Sequence, residues 1–146
     1  IYFSEKDLLQ KGDYKVETEY GTDVKVVDLK KFSKSVNSAL AKVSNKKGIV
    51  LDGLVLPYII ANLKIKLDFV FILKLDSKII VARLKNRKYP EVKILDNLFV
   101  QENSILEIEL KKGIKTIKGK NPKILVLEIS GNKKKDLKIV SGFLKN

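Results

Sequence analysis

Apolar and polar residues follow two different rhythms along this chain, and the changes of rhythm mark its elements. Leu29, Phe32, Val36, Ala39, Leu40 and Val43 recur at three- and four-residue spacing, which puts them on one face of a helix opened by Asp28 and running to about Lys42. Then the period is lost. Gly48-Ile-Val-Leu-Asp52 is an unbroken apolar run closed by a carboxylate, the pattern of a parallel strand buried on both faces. Residues 54–63, with Pro57 early, read as a short helix. Asp68-Phe-Val-Phe-Ile-Leu73 repeats the buried-strand pattern, and Asp76 or Ser77 caps the helix that follows. That helix is interrupted at Lys88-Tyr-Pro90, and residues 91–110 read as one further helix.

The ends of the chain fit the same scheme. Tyr2-Phe3 reads as the end of a strand, with Ser4 capping a helix over residues 5–11 that Gly12 closes. Residues 14–22 are polar and Gly-containing, the composition of a loop. Residues 111–123 read as a basic, Gly- and Pro-containing connector, Lys123-Ile-Leu-Val-Leu-Glu-Ile129 as a third strand, and Gly131-Asn132 as the entry to a last helix ending near Leu144. Strands alternating with helices predict an α/β fold, a doubly wound parallel sheet with helices on both faces. Neither an internal repeat nor a dividing linker is seen, so residues 1–146 are expected to form a single α/β domain.

Composition removes whole classes of chemistry. The chain has no Cys and no His, which excludes disulfides, thiolate metal sites, imidazole acid–base catalysis and Ser-His triads. No apolar run approaches the roughly 20 residues of a membrane span, and no segment reads as a signal peptide, so a cytoplasmic, membrane-free monomer is expected. The net charge of +13 suits a polyanionic partner, although lysine-rich surfaces also serve solubility alone. The chain begins at Ile1 and contains no Met, from which further sequence upstream is expected.

All but two of the 30 basic residues are lysine; the exceptions, Arg83 and Arg87, lie four apart and therefore on one helix face. A guanidinium grips phosphate oxygens bidentately and stacks on bases, which an ammonium does not. Asp52 ends its strand where a Walker-B-type carboxylate holds Mg²⁺ or its water in phosphoryl-transfer enzymes; an ordinary helix cap is the plainer reading of the same position. The chain lacks the G-x-x-x-x-G-K-[ST] loop that cradles phosphates, and Gly113-Ile-Lys-Thr116 is read as part of the basic connector.

Taken in order, Lys47-Gly-Ile-Val-Leu-Asp52, Asp68-Phe-Val-Phe-Ile-Leu-Lys-Leu-Asp76, Val81-Ala-Arg-Leu-Lys-Asn-Arg-Lys-Tyr89 and Lys93-Ile-Leu-Asp-Asn97 resemble the adenylate-kinase-like P-loop ATPases shared by archaea and eukaryotes, of the nuclear adenylate kinase isoenzyme 6 type linked to small-ribosomal-subunit maturation. Residues 1–7 with Tyr14 resemble the family's second strand and the segment after it, and residues 23–40 its next helix. The resemblance implies a P-loop kinase-like fold whose first strand, P-loop and first helix lie upstream of Ile1. It implies ATP and Mg²⁺ as cofactors, phosphoryl transfer to AMP or water, and a lid segment over about residues 83–97. It also implies roles: Asp52 near the metal, Arg83 packing on adenine, and Arg87 neutralising the transferring phosphates. Lys88 stands where the family has Gly, and the family's His-Gly after the aspartate and its arginine near Gln10 are absent.

Two functions follow as expectations. The first is a nucleoside-monophosphate kinase-like ATPase, inactive in the chain as it stands for want of a phosphate cradle. The second is a non-enzymatic basic α/β module that binds RNA or a small-subunit ribosomal protein through residues 111–123 and 133–138.

Overall fold

Ser4 ends the first strand, β1 (Tyr2–Ser4), and at once caps α1 (Glu5–Leu8). Its Oγ accepts the Asp7 amide while the Asp7 carboxylate accepts the Ser4 amide, so two orphan donors are satisfied reciprocally. Asp28 does the same work for α2 (Leu29–Ala41), its Oδ1 accepting the amides of Lys30 and Lys31, both at 3.1 Å. The structure, a computed structural model, describes residues 1–43, 48–117 and 122–144. These form two compact units, one built from residues 1–67 and 105–121, the other from 68–104 and 122–146.

In the first unit β1 pairs in parallel with β4 (Val50–Asp52), Tyr2 opposite Val50 and Ser4 opposite Asp52. Between them in sequence lie an antiparallel hairpin, β2 (Tyr14–Glu19) and β3 (Thr22–Val27), and then α2. The core gathers Leu8, the α2 stripe Phe32, Val36 and Leu40, and Ile59 from α3 (Leu56–Ile59). Each such side chain taken wholly from water contributes about 1.5–3 kcal/mol. A 3₁₀ turn (Ile60–Asn62) extends α3, and α6 (Ile105–Lys115) packs on both, burying Leu110 and Ile114. Gly113 allows that approach, because a Cβ there would collide with the Ile60 side chain.

In the second unit β5 (Phe69–Leu75) pairs in parallel with β6 (Lys123–Ile129), Phe69 opposite Lys123 through Leu75 opposite Ile129. Helix α4 (Ser77–Asn86) follows β5 and packs on α5 (Glu91–Glu102), with Leu84 and Ile94 buried. Helix α7 (Lys133–Leu144) follows β6, and its Phe143 ring lies 6.4 Å from that of Phe71.

The architecture is mixed α/β, with three two-stranded sheets and seven α-helices among the described residues. Several expectations change in detail. Residues 14–22 form most of a hairpin, not a loop; its two central turn residues, Tyr20 and Gly21, have φ of 50° and 72°, as a two-residue turn between twisted strands requires. The strand ending at Asp52 is not buried on both faces, since Val50 and Asp52 are exposed and only Leu51 is half-buried. The single helix expected over 91–110 is two helices, broken where Ser104 turns to φ 52°. The first part of the basic connector, residues 111–115 with Gly113, is helical and belongs to α6. Lys47 and residues 118–121 of the expected connector lie outside the described residues. Among the described residues no helix is long and apolar enough to cross a membrane.

Candidate functional site

The β5–β6 pair of the second unit presents its carboxyl edge through two short turns, and α4 reaches back to one of them. Asp76 starts α4 by accepting the Lys78 amide at 2.8 Å. Side chains on a helix lean toward its N-terminus, and Arg83, near the end of α4, does so with its long stem. Its Nη2 donates to the carbonyl of Gly131 at 3.1 Å, in the turn after β6. Gly131 has φ 77°, and a Cβ on it would stand 2.9 Å from Arg83 Nη2. A glycine in the left-handed region therefore makes room for the guanidinium and offers it an acceptor.

The rest of that turn is held by Asp136. Its Oδ1 accepts from the amide and the hydroxyl of Ser130, at 2.8 and 2.9 Å. Partial burial pushes its carboxyl up, but the Ser130 and Gly131 hydrogen bonds and the charge of Lys135 outweigh this and leave it below the usual aspartate range. Asn132 caps α7 by accepting the amides of Lys134 and Lys135. On the other turn, the Gln101 side chain pairs with Leu75 as a strand would, accepting from its amide at 3.1 Å and donating to its carbonyl at 2.8 Å.

Arg87 terminates α4. The amide of Lys88 bonds to the Lys85 carbonyl and that of Tyr89 to the Leu84 carbonyl, which is the Schellman closure, with Lys88 in the left-handed position at φ 58°. Arg83 thus lies within α4 and Arg87 is its C-cap, both exposed; Arg83 is anchored on a distant turn, and a groove of about 360 Å³ is lined by Val81, Lys85, Tyr89 and Ile94.

Asp52 lies in the first unit, at the carboxyl end of β4, while both arginines lie in the second. It does not cap α3, whose N-cap is Val55 without a side-chain bond. Instead Asp52 Oδ2 accepts from the Tyr2 hydroxyl at 2.8 Å. That hydrogen bond first, then slight burial and the charges of Asp52 and Asp7, raise the Tyr2 phenol above its ordinary value. Beside it, Glu5 Oε2 accepts the Val55 amide at 2.8 Å, and Gly53 has no Cβ because Glu5 fills that space. Tyr2, Gly131 and Gln101 are the partners that sequence reasoning missed; each meets its neighbour through strand register or a turn, and no local motif announces them.

The residues fit the implied cofactor in one respect. Mg²⁺ is commonly carried by substrate phosphates with one or two protein carboxylates, and Asp52 supplies one carboxylate, its Oδ2 accepting from the Tyr2 hydroxyl. Among the described residues no group of three His, Cys, Asp or Glu could hold a metal by itself. No phosphate-cradling loop stands among them either, Gly113-Ile-Lys115 being helical. No known family model matches this sequence, and no curated protein matches it significantly.

Proposed function

We propose that the chain is the greater part of a nucleoside-monophosphate kinase-like ATPase of the adenylate kinase type, with a doubly wound P-loop kinase-like sheet as its finer architecture. The observation that carries this reading is the anchoring of Arg83 on the Gly131 carbonyl, which holds one of the chain's two guanidiniums at the carboxyl edge of a parallel strand pair. Open α/β sheets bind their ligands at that edge. Lys88 supports it further, because it adopts the left-handed conformation at the position where the resembled pattern has glycine.

In this reading Arg83 and Arg87 meet the nucleotide from the lid segment over about residues 83–97, Arg83 against the base and Arg87 against the transferring phosphates. Asp52 would hold Mg²⁺ through water, since one of its oxygens already accepts from the Tyr2 hydroxyl. Bound ATP·Mg²⁺ supplies the phosphoryl group and its charge neutralisation, with AMP or water as acceptor. Catalysis of this kind is positioning plus electrostatics and needs no histidine. The protein is read as a cytoplasmic monomer, with a small-subunit ribosomal protein or rRNA as partner. The 146 residues alone are expected to be inactive, since they carry no G-x-x-x-x-G-K-[ST] phosphate cradle.

The test is nucleotide titration of a chain extended by its own upstream codons. Arg83→Lys should weaken ATP binding by about tenfold, the scale of one charge-assisted hydrogen bond. An extended chain without a G-x-x-x-x-G-K-[ST] loop, or one indifferent to Arg83→Lys, defeats the reading. A second reading, a basic module binding RNA or a ribosomal protein, is favoured by exposed Lys133, Lys134, Lys135 and Lys138 on α7. It requires RNA affinity that falls steeply with salt and is untouched by Arg83→Lys.

A further inference from the structure

Arg83 leaves α4 toward the Gly131 turn, and the opposite side of that helix borders a trough. Residues of an α-helix advance by about 100° each, which turns Val81 and Lys85 away from Arg83. They face α5, which runs back along α4: the Ser77 hydroxyl at the start of α4 donates to Glu102 at the end of α5, at 3.3 Å. Val81, Ile94, Leu95 and Leu98 are the apolar walls of this groove of about 360 Å³. Val92, Leu95 and Phe99 carry the apolar surface outward along α5, at 38, 58 and 61% exposure. Three and then four residues apart, they have the spacing of a helix-packing seam, and none of the described elements covers them.

The shape of the trough selects its occupant. A small molecule is held where most of its surface is buried, and a groove whose Leu95 wall stands half in solvent is too open for that. An extended peptide needs main-chain donors and acceptors to pair with, and α4 and α5 keep theirs inside the helices. What fits is a third helix laying apolar side chains into the trough. Charge then chooses among helices. Lys78 and Lys85 stand on the α4 rim, both exposed and neither in an ion pair among the described residues. Seven residues are two turns, about 10 Å along the axis, so acidic residues at i and i+7 of an aligned helix meet both lysines. Exposed Arg87 and Lys88 extend the basic rim past the end of α4. On the α5 side Glu91 lines the trough and Asp96 flanks the seam, both exposed, and these call for a Lys or Arg on the opposite flank. Rim charges of this kind set partner choice and orientation, while the apolar anchors supply the affinity.

We propose that the α4–α5 trough is a docking groove for an amphipathic helix of another protein. That helix carries large apolar residues at i, i+3 or i+4 and i+7, acidic residues seven apart on the flank over Lys78 and Lys85, and a basic residue on the flank over Glu91. The inference goes beyond the nucleotide reading, whose Arg83 lies on the other side of α4. Two synthetic peptides of about 18 residues, five turns of helix, serve as probes. They share the apolar seam and the basic flank and differ in the other flank, which is Glu in one and Lys in the other. Each is titrated into the 146-residue chain and followed by amide NMR shifts. The Glu peptide binds saturably and moves Val81, Lys85, Tyr89, Leu95 and Leu98, and the Lys peptide binds weaker by about tenfold or more.

Lys78→Glu combined with Lys85→Glu inverts the order of the two peptides, and Leu95→Ser weakens both by about tenfold. All three positions are exposed, so the fold is kept, and circular dichroism of each variant checks it. Failure of the Glu peptide to saturate overturns the proposal, as do equal affinities for the two peptides or shifts that fall on α7 instead of the trough. Shifts of the trough amides that follow the concentration of the chain without peptide assign the groove to a second copy and overturn it also. The same amides moved by a single-stranded RNA oligonucleotide, with the Glu peptide inert, assign it to nucleic acid with the same result. Peptide binding without ATP binding by an extended chain defeats the nucleotide reading and leaves the groove; ATP binding without peptide binding does the reverse.

Discussion

The Arg83 guanidinium and the Gly131 carbonyl meet at 3.1 Å across 48 residues of sequence. The contact ties the helix after β5 to the turn after β6, and it depends on the missing side chain at Gly131 as much as on the charge at Arg83. Gly131→Ala should lower stability by about 1–2 kcal/mol, the cost of a Cβ in the left-handed region, with a further loss from the displaced guanidinium. Urea unfolding of Gly131→Ala alone and combined with Arg83→Ala separates the two, because the double variant should retain the backbone cost and shed the collision. Equal effects in both backgrounds would show that Arg83 does not rest on this turn.

Lys88 offers the opposite change. At φ 58° it occupies the position that closes α4, where glycine avoids the steric cost. Lys88→Gly should raise stability by about 1 kcal/mol after the entropy of glycine is subtracted. A thermal melt showing no gain or a loss would mean that the lysine side chain makes a compensating contact.

Asp13 is buried and accepts three hydrogen bonds at once. Its carboxylate accepts the Gln10 amide at 3.0 Å and the Ser35 hydroxyl at 3.1 Å, and its carbonyl accepts the Asp28 amide at 2.7 Å. Asp13→Ala strands the first two donors and should cost about 1–3 kcal/mol. Ser35→Ala, which removes only one of them, should cost less. Chemical denaturation of both variants checks the order.

Acid should act through Asp7. The Ser4 hydroxyl first, and then the Ser4 amide, hold the Asp7 carboxyl below the usual aspartate range. A carboxyl whose folded pKa is depressed stabilises the protein fully above its unfolded value of about 3.9 and loses that contribution as pH falls through the folded value. The stability gap between the native chain and Asp7→Asn should therefore be widest near neutral pH and close in stronger acid. A gap that is constant from neutral pH into acid would rule out the capping box as the cause.

What was legible in the sequence follows from the range of each interaction. The caps at Ser4, Asp28 and Asp76 and the Phe32–Val36–Leu40 stripe are local, and the chain spells them out. The hairpin was hidden because β2 is exposed along almost its whole length, so no buried face imposes an alternation on Tyr14–Glu19. The break at Ser104 was hidden because neither Gly nor Pro marks it; the Lys74 ammonium donates to the Ser104 hydroxyl from a strand 30 residues away. At the candidate site the arginine pair and Asp52 were visible as residue types in sequence. Their partners, Gly131 and Tyr2, were set by register and turn geometry, which single-chain spacing does not encode.

Helix α6 has a consequence for how the protein is made. It completes the first unit, yet it is translated after β5, α4 and α5, which belong to the second and themselves await β6. Neither unit can close before the other has begun to emerge from the ribosome. The usual order for a growing chain, in which the N-terminal body folds first and alone, is not open to this one: through most of its synthesis both halves are unfinished together.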